Sequence, residues 1–197
     1  MPLPLDDPDV ALMMRFREGD ETAFDALVEK FKTPVFNYVG YQIRDMDEAE
    51  DVAQNVFVQV YKSADRYQPT AKFTTWLFTI ARNLCLNEFR RRQRHPLQSL
   101  EEITTTDLES DLPQFADPKA RSPALEISEK ELQEHVVTAI QKLPENQRTA
   151  MILCRYEGLS YEEIARVLNI SVSATKSLLH RARESLKIEL HEFLKET

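Results

Sequence analysis

Apolar residues return every three or four positions along most of this chain, the spacing of helices that each bury one stripe. Phe24, Leu27, Val28 and Phe31 follow it, as do Ala49, Val52, Ala53, Val56 and Val60. Trp76, Leu77, Ile80, Ala81 and Leu84 repeat it, and so do Leu132, Val136, Val137 and Ile140. No strand-like alternation and no two-residue hairpin turn interrupts the pattern. With only three glycines besides, the fold class is all-α. Local signals set the helix ends. A first helix over residues 8–18 closes at Gly19, and Asp20 caps a second that leads into Val35–Tyr41. Asp45 and Glu48 form a capping box for a third. After a loop over residues 65–72, a fourth runs from about Phe73 to Arg94.

Residues 96–125 break the rhythm. Pro96, Pro113, Pro118 and Pro123, a threonine run at 104–106 and scattered acids give linker chemistry, extended and flexible. The expected organisation is a domain over 1–95, a tether over 96–127 and a domain over 128–197. The second domain opens with a helix near 128–142, followed by one opened by Pro144 and stopped at Gly158. A capped pair ends the chain. Ser160 and Glu163 make a capping box, and Tyr161, Ile164, Ala165 and Leu168 share one stripe. Asn169-Ile170 turns the chain, and Ser171 caps a helix with Val172, Thr175, Leu179, Ala182 and Leu186 on one face. Ser173, Lys176, Ser177, His180 and Arg181 lie broadly on the other. This is the pattern of a helix-turn-helix, whose second helix enters the DNA major groove to meet base edges and phosphates. Capped helix pairs also serve as plain scaffolds, so the rest of the chain must decide.

Charge adds a constraint. The net charge is −8. Residues 1–95 hold 13 basic and 15 acidic side chains, residues 96–130 hold 3 and 8, and residues 131–197 hold 9 and 10. The excess therefore sits mostly in the tether. Neither flanking domain is strongly cationic, although phosphate neutralisation dominates the affinity of independent DNA binders. A protein that grips DNA weakly alone and relies on a larger partner is implied. Hydrophobic content of 42% is ordinary for a globular chain, no apolar run approaches a membrane span, and the N-terminus lacks a signal peptide's basic start and apolar core. Cys85 and Cys154 fall in separate apolar helical stretches, and His95, His135, His180 and His191 form no ligand cluster. Buried, reduced thiols in a cytoplasmic protein without metal or cofactor are expected.

Two further constellations carry candidate chemistry. Asn83, Asn87, Arg90, Arg91 and Arg94 form a polar stripe suited to phosphates and base edges, with Tyr67, Phe73 and Trp76 upstream. The bland alternative makes those aromatics core and the arginines a solvated helix end. Asp47, Glu48, Glu50, Asp51, Gln54 and Asn55 crowd the start of the third helix. The macrodipole favours acids there, and a docking face for a basic protein is the functional alternative.

The string Asp47-Glu-Ala-Glu-Asp-Val-Ala-Gln-Asn-Val-Phe-Val-Gln-Val-Tyr61 resembles the core-polymerase-binding segment of bacterial sigma factors. Phe73-Thr-Thr-Trp-Leu-Phe-Thr-Ile-Ala-Arg-Asn-Leu-Cys-Leu-Asn-Glu-Phe-Arg-Arg-Arg92 is similar to their promoter-melting helix. Leu143-Pro-Glu-Asn-Gln-Arg-Thr-Ala-Met151, followed by Gly158-Leu-Ser-Tyr-Glu-Glu-Ile-Ala165, resembles the start of sigma domain 4. These matches in order, with only a linker between, resemble the extracytoplasmic-function (ECF) class. The resemblance implies that Glu50, Asp51, Gln54, Asn55 and Phe57 face the clamp helices of the polymerase β′ subunit, and that domain 4 meets the β flap. It implies that loop 66–72, with Lys72, captures a flipped −10 base near Trp76, Asn83 and Asn87, while Arg90, Arg91 and Arg94 meet phosphates. Ser173, Lys176, Ser177, His180 and Arg181 would read the −35 element of promoter DNA. The acidic linker would thread toward the RNA exit path, and an anti-sigma factor is an expected partner. One departure stands out: where many relatives carry Gly-Thr-Val-Lys-Ser-Arg-Leu, this chain has Ser173-Ala-Thr-Lys-Ser-Leu-Leu179, so Leu178 takes the place of a contacting arginine.

Two other classes compete. A helix-turn-helix regulator would be a dimer with its own operator affinity, which the 46–94 region and the charge balance oppose. An enzyme on a helical scaffold would need a paired carboxylate in an apolar setting, a Cys-His pair, a phosphate-cradling Gly-rich loop or a metal motif, and the sequence offers none.

Overall fold

The computed structural model describes residues 6–94 and 123–196, with side chains described for residues 6–94 and 132–191. Its eight helices carry the labels α1–α8 in chain order, and the described residues contain no strand. α1 spans Pro8–Arg17, with Asp7 as its N-cap and proline at its first position, where the missing N–H would have had no partner. It stops at Gly19, whose φ of 101° is open to glycine at little cost. α2 is Glu21–Gln42, capped by Asp20 and continuous through Pro34, so the two apolar segments expected there form one helix.

α3, Met46–Lys62, differs from expectation at its start. Asp45 accepts from the Glu48 N–H at 3.0 Å, but the reciprocal half of the box is missing. The Glu48 carboxylate turns instead to Arg91 and Arg92. A 3-10 turn at Ala64–Arg66 and a loop lead to α4, Phe73–Arg94. These helices close on Met13, Leu27, Val35, Tyr38, Val56, Leu77 and Phe78, all shielded from solvent.

The second half comprises α5 (Pro123–Lys142), α6 (Glu145–Arg155), α7 (Tyr161–Leu168) and α8 (Val172–Glu196). α5 begins five residues before the helix expected near 128, so residues 123–127 are helical rather than tether. Composition alone hides this, because a proline at the first position of a helix looks the same as a proline in a linker.

The two halves are not independent bodies. One apolar cluster runs from α1–α4 into Val137, Ile140, Ile152, Leu153 and Ile164. α5 and α6 pack on α2, and α7 lies against α4. A tethered pair of domains gave no sequence signal for this closure.

Candidate nucleic-acid interface

The C-terminal helix pair is built as its sequence dictates. The Ser160 N–H donates to the Glu163 carboxylate at 2.7 Å, and the Glu163 N–H donates to the Ser160 hydroxyl at 3.2 Å. Ile164, Ala165, Val167 and Leu168 are buried beneath α7. Asn169 then takes the left-handed conformation, φ 54°, which asparagine tolerates better than most residues, and Ser171 caps α8 through the Ala174 N–H. On α8, Thr175, Leu179 and Ala182 are fully buried. Ser173, Lys176, Ser177, His180 and Arg181 are all exposed on the opposite side. Two of these side chains lie along the helix itself: the Ser177 hydroxyl donates to the Ser173 carbonyl at 3.1 Å, and Arg181 Nε to the Ser177 carbonyl at 3.3 Å. Leu178 is half-buried and packs on the core, so its position contributes to folding where an arginine would project.

Along α4, Asn83, Asn87, Arg90, Arg91 and Arg94 are exposed, and the stripe is internally bonded. Arg90 donates to the Asn87 side chain at 3.4 Å, and Arg94 Nε to the Arg90 carbonyl at 3.2 Å. Arg91 is held between Glu88 at 2.8 Å and Glu48 at 3.4 Å, so its charge is already balanced inside the molecule. The three aromatics divide. Tyr67 and Phe73 are only 2% and 1% exposed and belong to the core, whereas Trp76 is half-buried with its ring T-shaped against Tyr67 at 4.8 Å. Of the three, only Trp76 keeps part of its ring accessible. Lys72 projects from the loop just ahead and is exposed.

On α3, Glu50, Asp51, Gln54 and Asn55 share an exposed face, with Gln54 donating to Glu50 at 3.2 Å. Phe57 lies beside them, half-buried and packed in part on the core. Val58 and Tyr61 extend the face, at 42% and 48% exposure, and Tyr61 sits over Phe16 and Phe24. Their spacing from Asp51 and Asn55 was legible in the sequence, but apolar residues in a helix read first as core.

Between the halves lies a set of contacts that sequence reasoning missed. Gln42 donates to the Thr149 hydroxyl at 3.0 Å, both residues being buried. Arg82 donates to Asn146 at 3.1 Å and pairs with Glu145 at 3.4 Å. Arg148 reaches the Tyr41 and Gln42 carbonyls, each at 3.5 Å, and the Tyr41 and Tyr156 rings stack at 5.2 Å. Lys72 pairs with Glu163 at 2.9 Å, joining the loop to the helix-turn-helix. Burial pushes the Glu163 carboxyl up, but its bonds to Lys72 and Ser160 prevail and hold it below the usual range. The Lys72 ammonium is raised by the same pairing. The interface is also incompletely satisfied. Gln42 Oε1 and Arg148 Nε are buried without a hydrogen-bond partner, and burial lowers the Arg148 pKa. Nearby, burial pushes the Cys85 thiol up to about 12, so it stays protonated. Cys85 and Cys154 are both free, but Cys154 is only half-buried, not enclosed as expected.

Among the described residues no group of three or more His, Cys, Asp or Glu is placed to hold a metal. No helix among them is long and apolar enough to cross a membrane.

An exposed face of lysine, serine, histidine and arginine on α8, and an asparagine- and arginine-bearing face on α4 beside an acidic face on α3, fit a protein that reads DNA. Residues 27–95 match the family Sigma-70 region 2, and residues 133–186 match Sigma-70, region 4. The chain is 35% identical over 190 residues to RNA polymerase sigma-H factor of Pseudomonas aeruginosa, covering 96% of this chain and 97% of that one. It is 31% identical over 176 residues to the ECF RNA polymerase sigma factor SigW of Bacillus subtilis, covering 89% and 93%. The solved structure of CnrH in complex with the cytosolic domain of CnrY has the same fold, with a TM-score of 0.66, 24% identity and coverage of 94% and 99%. The chain belongs to the ECF class of sigma-70 factors. Its function is promoter-directed transcription initiation with core RNA polymerase.

Proposed function

We propose the following division of work. α8 reads the −35 element through Ser173, Lys176, Ser177, His180 and Arg181. Loop 66–72 and α4 hold the melted −10 strand through Lys72, Trp76, Asn83, Asn87, Arg90 and Arg94. Arg91, balanced by Glu88 and Glu48, sets the helix end that its neighbours project from. Glu50, Asp51, Gln54 and Asn55, extended by Val58 and Tyr61, dock on the β′ clamp helices, and the C-terminal domain meets the β flap. The observation that carries this reading is the division of α8 into one fully buried face and one exposed face of lysine, serine, histidine and arginine. Such a helix offers donors for base edges and phosphates together.

The closed arrangement sets a requirement. Elements at −35 and −10 lie about 25 base pairs apart, or about 85 Å along B-DNA at ~3.4 Å per pair. A compact chain of this length has a radius of gyration of only about 16 Å. The domains therefore separate before both elements are read. The roughly 28 residues between Arg94 and Pro123 reach at most about 95 Å, enough to span the gap. Separation frees Lys72 from Glu163, and polymerase, by binding the open form alone, draws the equilibrium toward it. An anti-sigma factor is the third partner we propose, by analogy with CnrH held by the cytosolic domain of CnrY, and the site of action is the cytoplasm, where polymerase resides.

Run-off transcription with sigma-free core polymerase, on fragments upstream of the protein's own gene, tests this reading. Start sites that appear only with the protein added support it. Removing the −35 phosphate contact of Lys176 with Lys176→Ala should lower the salt slope of promoter binding by about one. A protein that ignores core polymerase yet shifts DNA as a dimer is a regulator instead.

A further inference from the structure

The loop assigned to the −10 strand is fixed at both ends by α1, a helix with no role in the scheme above. We infer that α1 is a positioning strut for the −10 loop, with Asp7 and Arg17 as its two fixing points. This rests on the assignment of loop 66–72 and Trp76 to the −10 strand.

Asp7 caps two helices at once. Its Oδ1 accepts from the Asp9 N–H at 3.0 Å, closing the start of α1. Its Oδ2 accepts from the Phe73 N–H at 3.1 Å, the first residue of α4. Lys72, which precedes α4, has no side-chain oxygen with which to do the same. At the other end of α1, Arg17 Nη1 donates to the Tyr67 carbonyl at 3.2 Å. Ten residues separate Asp7 from Arg17, about 15 Å of helix. The loop therefore leaves the core at one end of α1 and re-enters it at the other.

α1 is itself firmly held. Val10 and Met13 are 1% and 0% exposed, and the Phe16 ring stacks on Phe24 at 4.7 Å. Tyr67 and Phe73, the two attachment points, are buried, with the Phe73 ring 5.3 Å from that of Phe31 and 6.4 Å from that of Tyr67. Between them the chain tightens, with the Thr70 N–H donating to the Gln68 carbonyl at 2.8 Å, and Gln68, Thr70 and Lys72 face solvent. Trp76 stands one turn into α4, so fixing Phe73 fixes its accessible ring. The spacing between loop tip and tryptophan is inherited from α1. A site ordered in advance does not lose conformational entropy when the strand arrives, and it discriminates by geometry.

The test uses the full-length chain with core polymerase, on promoter fragments whose −10 element is matched or changed at one base. A single wrong base pair usually costs about 5- to 150-fold. Asp7→Ala and Arg17→Ala should each compress that ratio, scored as open complexes, to below about three-fold. Binding to core polymerase and to a duplex carrying only the −35 element should stay within about two-fold of wild type. Arg17→Lys keeps a cationic donor and should recover most of the ratio, which a general loss of stability would not produce. Trp76→Ala is the reference and should lose discrimination outright. If both alanine variants keep the ratio while Trp76→Ala loses it, the strut is refuted. If Trp76→Ala keeps it too, the −10 assignment falls and the strut with it. Arg17 is exposed, so its variants decide the question even if Asp7→Ala fails to fold.

Discussion

Helix α4 has two partners of opposite character. Against α1–α3 it buries Phe73, Leu77, Phe78 and Ala81 in a dry core. Toward the C-terminal half it offers Arg82 and, from the loop before it, Lys72, which meet Glu145, Asn146 and Glu163. Around those pairs sit Gln42 Oε1 and Arg148 Nε, buried and unpaired. The first contact gains with every apolar atom it removes from water. The second adds desolvated charges, only partly recompensed, to the apolar contacts of Val137, Ile152 and Ile164, so it gains less for its extent than the first. The opening of the domains proposed above asks for both kinds of surface.

The comparison can be broken or sharpened in order of expected effect. Leu77→Ala, in the dry contact, should cost about 2–5 kcal/mol. Urea denaturation followed through Trp76, the chain's one tryptophan, would report it. A loss below about 1 kcal/mol would deny the dry contact its weight. Next in size, Glu145→Arg sets a third cation beside Arg82 and Arg148. The domains should separate, with the radius of gyration by small-angle scattering rising well above the compact ~16 Å, while helicity by circular dichroism is unchanged. A compact variant would show that the polar contacts do not govern closure.

A milder change works in the other direction. Replacing Gln42 and Thr149 together by Met and Val removes a buried hydrogen bond and an orphaned acceptor at once. Paired replacement of this kind runs from nearly neutral to stabilising. Closure should tighten, so promoter output falls several-fold at fixed polymerase while the melting temperature holds or rises. Unchanged output would separate closure from function.

The smallest effect tests the C-terminal half alone. Burial raises the Glu157 carboxyl from its ordinary value of 4.5 to about 7. The folded state holds this proton more tightly than the unfolded chain. Its contribution to stability is therefore complete below about 4.5 and disappears as pH rises through about 7. Glu157→Gln should raise the melting temperature at pH 8 and leave it unaltered at pH 4. Equal shifts at both pH values would rule out titration as the cause.

Much of this molecule was legible in its sequence, and the reason is locality. Helix periodicity, the Ser160–Glu163 box, the turn at Asn169 and the two faces of α8 depend on residues three or four apart. The start of α4 at Phe73 and its end at Arg94 followed from the same kind of signal. Errors arose where a side chain had a choice between a local and a distant partner. Glu48 was expected to complete its own cap and instead bonds Arg91 and Arg92 across the fold. Tyr67 and Phe73 are buried, the core alternative that was set beside base stacking for them.

What the sequence determined alone was the set of helices, the local caps at Asp20, Ser160 and Ser171, and the exposed residues of α8. What only the tertiary structure decided was everything spanning a long separation: the Gln42–Thr149 and Lys72–Glu163 contacts, and the reach of Asp7 to Phe73. The physical reason is that helix geometry fixes neighbours by number along the chain, while packing chooses among distant partners by shape and desolvation, which no local spacing records.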